Sequence, residues 1–114
     1  MKRIMTIAWC AGAFLAAACT VPSWAQDRVA ARNLASACFT CHGTDGHSVG
    51  GVPPSLAGRD RNDLLQAMKD FKADKRPATI MHQQAKGYTD QELEALAGYF
   101  ASVKARGDTP AARY

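Results

Sequence analysis

The chain has 114 residues, of which 14 are Lys or Arg and 10 are Asp or Glu, giving a formal net charge of +4. This length allows one small domain at most. No stretch interleaves basic residues with aromatic ones in the way nucleic-acid-binding surfaces do, so the composition gives no support to a nucleic-acid-binding role.

Residues 1–25 have the pattern of a secretory signal peptide. The first three residues (MKR) carry positive charge, and an Ala-rich apolar run covers residues 4–18. Ser23 and Ala25 then occupy the −3 and −1 positions of a cleavage site. The run is shorter than the about 20 apolar residues that a membrane-spanning helix needs. We expect cleavage after Ala25 and export, to the periplasm of a bacterial source; a retained membrane anchor is the alternative.

Cys19 follows three alanines, as the modified cysteine of a lipoprotein does, but Leu15 lies one position too early for the usual pattern. We therefore expect Cys19 to leave with the signal peptide instead of carrying a lipid, together with Cys10. Removing 25 of the 114 residues leaves 89, and removing Lys2 and Arg3 leaves 12 basic residues against 10 acidic ones. The pI near 9.0 of the whole chain therefore overstates the basicity of the exported part.

Three helices are predicted within the domain, which we place at residues 26–106. The first runs from about Asp27, as N-cap, to the cysteines, although its apolar stripe is weak. The second begins near Asp60, and the third follows a capping box formed by Thr89 and Glu92. Apolar residues recur at helical spacing in the last two helices: Leu64, Leu65, Met68 and Phe71 in the second, and Leu93, Leu96, Ala97, Phe100 and Val103 in the third.

Two long segments between these helices are predicted to be irregular. Residues 43–58 contain five glycines together with Pro53 and Pro54, and the segment Lys75 to Tyr88 contains another proline and glycine. No stretch has the pattern of a strand, and residues 107–114 are predicted to be a flexible tail. The predicted fold class is therefore all-α. Loops of this length are uncommon in a small domain unless they enclose something, which here would be large and apolar.

The stretch ACFTCHG, residues 37–43, contains Cys38, Cys41 and His42 in the order C-x-x-C-H. A redox dithiol of the thioredoxin type would need a preceding strand and a βαβ setting, which the pattern does not provide. Zinc would need a fourth ligand, and the domain has no second cysteine pair. A covalently attached haem fits best, because each cysteine can form a thioether with one porphyrin vinyl group while the adjacent His42 binds the iron.

A second axial ligand for such an iron has to come from elsewhere in the chain. Methionine and histidine are the usual choices, and methionine gives the higher reduction potential. Met68 falls on the apolar stripe of the second helix, where a core role is the better interpretation. Met81 lies in the second irregular segment and is the predicted ligand, with His82 as the rival. For His82 and His47 alike, a solvated surface histidine is the interpretation we favour.

These residues together resemble the small class I cytochromes c over nearly the whole domain, from Asp27 to about Val103. The resemblance rests on CFTCH, on PSLAGR at residues 54–59, on the Met81 segment and on LAGYF at residues 96–100. It implies one haem c held through Cys38 and Cys41, three main helices with long loops around it, and His42 and Met81 as axial ligands. It also implies that the carbonyl of Pro54 accepts the Nδ1 proton of His42, and that Leu56 packs on the haem. Leu96 and Tyr99 would cross Ala30 and Leu34, where the family usually has a glycine and an aromatic residue.

Residues 68–100 resemble more closely the cytochrome subunit of flavocytochrome c sulfide dehydrogenases and related sulfur-oxidation cytochromes. That resemblance implies an electron-transfer protein, not itself an enzyme, with a sulfide-oxidising flavoprotein as its redox partner. The better-known members have two haem domains, whereas this chain has one C-x-x-C-H. A free-standing shuttle to a terminal oxidase remains the alternative, and a haem sensor or small peroxidase with a labile sixth ligand is a further one. Five basic residues could form a positive rim for an acidic partner: Lys69, Lys72, Lys75, Arg76 and Lys86.

Overall fold

The computed structural model describes residues 23–106, and this part of the chain is all-α, as predicted. It contains four α-helices and one short 3-10 turn, and no strand is present among these residues. The helices are α1 (Ser23–His42), α2 (Arg61–Lys72), α3 (Met81–Lys86) and α4 (Asp90–Ser102), and the 3-10 turn (Thr44–Gly46) follows α1 directly. The predicted signal peptide up to Pro22, including Cys10 and Cys19, and the predicted tail at 107–114 lie outside the described residues.

Helix α1 is longer than predicted, and the N-cap predicted at Asp27 is wrong. Within the described residues the helix is present from Ser23 onwards, so Asp27 lies inside it. No glycine or proline between Ser23 and Asp27 interrupts the helix, which is why it extends past the predicted cap. His42 is the last residue of α1, where a basic side chain interacts favourably with the helix dipole.

The starts of α2 and α4 are confirmed in atomic detail. The side chain of Asp60 accepts hydrogen bonds from the backbone N–H groups of Asn62 and Asp63, at 2.8 and 3.1 Å. At α4 the Thr89 hydroxyl accepts from the Glu92 N–H at 3.2 Å, and the Glu92 carboxylate accepts from the Thr89 N–H at 2.8 Å. Both helices thus begin where their capping residues predicted.

Helix α3 was not predicted, because its segment was expected to be irregular throughout. It has six residues, and Ile80 at its N-cap position makes no side-chain capping bond, so its start carries no sequence signal. Tertiary contacts supply what local propensity does not, as is usual for a helix this short. Ala85 is fully buried, and Lys86 at the end of α3 pairs with Asp74 after α2, with 2.7 Å between Nζ and Oδ2.

The core lies where α1 crosses α4. Its buried members are Ala35, Leu93, Leu96, Tyr99 and Phe100, and half-buried residues of α1 and α2 pack against them, including Ala31, Leu34, Cys38, Leu64 and Met68. The predicted contribution of Leu34, Leu96 and Tyr99 to this crossing is confirmed. Ala30 is exposed, and Ala31 and Ala35 occupy the inner face instead, so the prediction for Ala30 is wrong by one helical position.

Leu93 is the largest side chain that is fully buried, so its truncation is expected to be costly. We expect Leu93→Ala to lower the free energy of unfolding by about 2–5 kcal/mol, since both the transfer of the lost methyl groups and the cavity left behind contribute. Guanidinium denaturation of the purified protein measures the change. Leu64→Ala is the matched control: Leu64 is only half-buried, and a loss as large as that of Leu93→Ala would contradict this account of the core.

Candidate haem site

The three residues of the C-x-x-C-H motif lie on the last turns of α1. In a helix, positions i, i+3 and i+4 share one face, so Cys38, Cys41 and His42 project to the same side. Cys38 is half-buried against the core, Cys41 is exposed, and His42 is buried with 8% of its surface exposed. Neither cysteine forms a disulfide within residues 23–106. The helix therefore presents two thiols and one imidazole together.

The ring of His42 is fixed by the loop that follows. Its Nδ1 lies 2.7 Å from the carbonyl oxygen of Pro54, which is the contact that the resemblance implied. A carbonyl oxygen can only accept a hydrogen bond, so Nδ1 carries the proton. The other ring nitrogen, Nε2, then has a free lone pair, which is the form in which histidine binds a metal ion.

The loop position of Pro54 is set by one backbone oxygen, the carbonyl of Gly46. This oxygen accepts from the hydroxyl of Ser55 at 2.7 Å and from the backbone N–H groups of Leu56 and Ala57 at 2.8 and 3.1 Å. Ser55 is itself buried, with 5% of its surface exposed. Three donors from consecutive residues thus hold the chain immediately after Pro54. Leu56, predicted to pack on the haem, is half-buried against the core residues.

Asp45 in the 3-10 turn connects this loop to two helices. Its carboxylate accepts from the Tyr99 hydroxyl of α4 at 2.5 Å and from the Arg32 guanidinium of α1, with 3.0 Å between Nε and Oδ1. The hydrogen bond from Tyr99 lowers the pKa of Asp45 most, and the Arg32 guanidinium lowers it further. Burial, together with the Asp45 carboxylate, raises the pKa of Tyr99 to about 12. Sequence reasoning missed this triad, because its members are far apart in the chain and no local pattern links them.

The two methionines of the described chain differ in their surroundings. Met68 packs against the core residues, as predicted. Met81 is half-buried at the first position of α3 and is not part of that core. The structure therefore leaves the Met81 thioether, and not that of Met68, outside the main packing of the helices.

Neither His82 nor His47 is the solvated surface histidine that was expected. Nε2 of His82 lies 2.7 Å from the carbonyl oxygen of Arg76, and its ring meets the Phe71 ring edge-on at 6.2 Å between centroids. Both histidines are half-buried, and Nδ1 of His47 is buried without a hydrogen-bond partner. The prediction failed because other parts of the chain cover both side chains in part, and the sequence around each histidine gives no sign of these contacts.

The two other interpretations of the cysteine motif find no support in the described part of the chain. A reactive dithiol needs a lowered thiol pKa. Burial, and to a smaller extent the Cys41 thiolate, instead raises the pKa of Cys38. Within residues 23–106 no three side chains of the His, Cys, Asp or Glu type come together as a metal-binding group, so a zinc site of this kind is absent there.

Part of the expected positive rim is neutralised by ion pairs. Lys72 Nζ lies 2.8 Å from Oδ1 of Asp90 and also donates to the carbonyl of Tyr88 at 2.7 Å. Lys86 is paired with Asp74. The guanidinium of Arg76 stacks over the Phe71 ring, 5.2 Å from its centroid. Two of the five basic residues thus face acidic partners within the protein, which weakens their field at longer range.

Comparison with known sequences places this site in a family. Residues 25–100 match the family model described as cytochrome c oxidase, cbb3-type, subunit III. The chain is 41% identical over 70 residues to the cytochrome subunit of sulfide dehydrogenase from Chlorobaculum tepidum, which covers 61% of this chain and 63% of that protein. It is 40% identical over 80 residues to cytochrome c4 from Pseudomonas aeruginosa, covering 70% of this chain and 40% of the relative.

A further relative, cytochrome c-554(548) from Halomonas halodenitrificans, is 30% identical over 81 residues, which make up 68% of this chain and 98% of the relative. Its whole length thus corresponds to one domain of the present kind. The match to the cytochrome c4 covers less than half of that protein, and the match to the sulfide dehydrogenase subunit covers 63% of it. Since 70 residues are 63% of that subunit, it is about as long as this chain.

The helical fold and these similarities define the protein as a c-type cytochrome, an electron-transfer protein of the haem c class. More particularly, the chain belongs to the family described as cytochrome c oxidase, cbb3-type, subunit III, whose model matches residues 25–100. Across residues 23–106, no helix combines the length and the apolar character that crossing a membrane requires.

Proposed function

We propose that this protein is a periplasmic electron carrier with one haem c, attached through Cys38 and Cys41 and ligated by His42 and Met81. The observation that carries this proposal is the hydrogen bond from His42 Nδ1 to the Pro54 carbonyl, at 2.7 Å. It leaves the Nε2 lone pair free beside two unpaired thiols on the same helix face. The donor set therefore fits the group that the family implies.

The roles of the surrounding residues follow from their chemistry. When bound, haem c supplies one-electron exchange between Fe(III) and Fe(II). Pro54 holds the His42 ring at a fixed angle and, by accepting a hydrogen bond from its Nδ1–H group, makes Nε2 a stronger electron donor. Leu56 lines the site with apolar surface and excludes water. With His42 and Met81 both bound to it, the iron would have no position left for a substrate, which is why we assign transfer of electrons instead of catalysis.

The choice of Met81 as the second ligand has two supporting observations. Met81 lies outside the core, so its thioether is not needed for packing there, whereas Met68 is. Nε2 of the rival His82 forms a hydrogen bond with the Arg76 carbonyl. Nε2 is the ring nitrogen at the far end of that side chain. The hydrogen bond leaves only Nδ1 of that ring with a free lone pair, so binding of iron through Nε2 of His82 would require it to be broken.

We further propose that the electron donor is a flavoprotein that oxidises sulfide. The support is the 41% identity over 70 residues to a protein named as a cytochrome subunit of sulfide dehydrogenase. Location in the periplasm is supported by the signal-peptide pattern at residues 1–25. The free-standing shuttle stays the alternative, since relatives named simply as cytochromes match nearly as well.

Optical spectroscopy of the exported protein tests the ligation. We expect a c-type spectrum on reduction, haem that stays with the chain under denaturing conditions, and the weak far-red absorption of a methionine–Fe(III) bond. Rapid binding of carbon monoxide to the reduced protein at neutral pH would overturn the carrier assignment in favour of a sensor or peroxidase.

Size-exclusion chromatography of a periplasmic extract tests the partner: co-elution with flavin supports the complex, and a flavin-free monomer supports the shuttle.

A further inference from the structure

The Asp45 triad (Arg32, Asp45 and Tyr99) lies at the beginning of a hydrogen-bonded path that ends at His42. Asp45 precedes Gly46, whose carbonyl oxygen holds Ser55, Leu56 and Ala57. These residues directly follow Pro54, whose carbonyl fixes the His42 ring. Each link in this path is a hydrogen bond or a peptide bond, so a displacement of Asp45 is transmitted to the ring.

The residues along this path are tightly packed and have little room to move. Gly46 is buried, and a Cβ built on it would lie 2.8 Å from Cδ1 of Phe100 and 3.0 Å from the Ala57 nitrogen. The backbone of Asp45 itself has φ of 54°, in the left-handed region, which few non-glycine residues besides Asp and Asn adopt and which its contacts stabilise here. The two bonds from Tyr99 and Arg32 are the side-chain contacts that do so.

Aromatic packing keeps the donors of the triad in place. The Phe39 ring lies 6.4 Å from the Tyr99 ring and 6.4 Å from the Phe100 ring, between centroids. The Arg32 guanidinium sits 5.7 Å from the centroid of Phe39. Tyr99 itself has 9% of its surface exposed. The hydroxyl of Tyr99 therefore approaches Asp45 from a rigid core, which is what a residue that fixes a loop requires.

We propose that Asp45, held by Tyr99 and Arg32, is a positioning residue for His42, and that it sets the strength of the hydrogen bond from His42 Nδ1 to the Pro54 carbonyl. This inference rests on the proposed role of His42 as an iron ligand. A stronger Nδ1 hydrogen bond makes the imidazole a better electron donor, which favours Fe(III) and lowers the reduction potential. Loosening the triad raises the potential and exposes the Nδ1 proton to solvent.

Tyr99→Phe is the variant that tests this proposal, because it removes one hydroxyl, keeps the ring in the core and changes no formal charge. In the reduced holoprotein we expect the His42 Nδ1 proton, observed by NMR, to exchange with solvent about fivefold faster, the factor that corresponds to the net strength of one hydrogen bond. The reduction potential is expected to rise. Ser102→Ala is the matched control, since it removes a hydroxyl that donates within α4 to the Tyr99 carbonyl and does not touch Asp45.

Asp45→Asn separates positioning from charge. Asparagine keeps an oxygen that can accept from Tyr99 and tolerates a positive φ, so proton exchange is expected to change less than in Tyr99→Phe. The reverse order, with Asp45→Asn shifting the exchange rate and Tyr99→Phe matching Ser102→Ala, would show a simple charge effect and overturn the proposal. Failure of the haem ligation itself is seen separately, as the absence of a His/Met spectrum in the unsubstituted protein.

Discussion

If Met81 is the proposed second iron ligand, replacing it with alanine is expected to lower the reduction potential by an amount on the order of 0.1–0.3 V, a part of the roughly 0.8 V range that axial ligands set. The reason is that the soft thioether stabilises Fe(II) and that water or a nitrogen ligand in its place does not. The far-red absorption of the oxidised protein should disappear, and the reduced protein should bind carbon monoxide. Optical spectra and a potentiometric titration measure all three changes.

Met68→Ala is the matched control, because it makes the same chemical change at the other methionine of the described chain. Met68 packs in the core, so its replacement is expected to lower stability and to leave the far-red band in place. Persistence of the band in Met81→Ala together with its loss in Met68→Ala would reverse the assignment. His82→Ala completes the set: loss of low-spin character in that variant alone would establish histidine ligation instead.

Replacing Cys38 and Cys41 together with alanine is expected to abolish covalent haem attachment. The haem should then be extracted by acidified acetone, and the denatured chain should show no haem stain on a gel. Each single variant is expected to retain one thioether and to show a shifted absorption maximum in its alkaline pyridine spectrum. Cys38→Ala should be the more destabilising of the two, because Cys38 packs against the core whereas Cys41 is exposed.

Cys19→Ala provides the control for the cysteine variants. If the signal peptide is cleaved after Ala25, this variant yields an exported cytochrome identical to the unsubstituted one. A membrane-bound precursor that Cys19→Ala releases would show that Cys19 carries a lipid. Haem loss in Cys19→Ala would contradict the assignment of the thioethers to the two cysteines of α1.

The sequence predicted those parts of the fold whose signals are local. The Asp60 cap and the capping box of Thr89 and Glu92 involve neighbours in the chain, and both start their helices where expected. Helix α3 has no such signal: it is six residues long, is not capped by a side chain, and depends on contacts of Ala85 and Lys86 with the rest of the protein. The exposure of Ala30 likewise depends on how α1 rotates against α4, which a weak apolar stripe does not determine.

The same distinction applies to the site. C-x-x-C-H is contiguous and can be read directly, and the Pro54 contact was available through family resemblance. The Asp45 triad joins residues from α1, the 3-10 turn and α4, with Asp45 and Tyr99 separated by 54 positions. Only the assembled fold brings such residues together. The hydrogen bond from the His82 ring to Arg76 was hidden for the same reason, because its acceptor is a backbone carbonyl.

One part of the loop between α1 and α2 is tightly packed and another part is open to solvent. This difference decides where the protein can be modified. Gly46 is surrounded by Phe100 and Ala57, whereas a Cβ at Gly50 or Gly51 would meet nothing within 4 Å. Val49 and Val52 beside these two glycines are 93% and 87% exposed. A label, an affinity tag or a tether to an electrode therefore belongs between Gly50 and Gly51, only a few residues along the chain from Pro54. Electrons could then be delivered to the cytochrome from a surface without disturbing the residues that hold His42.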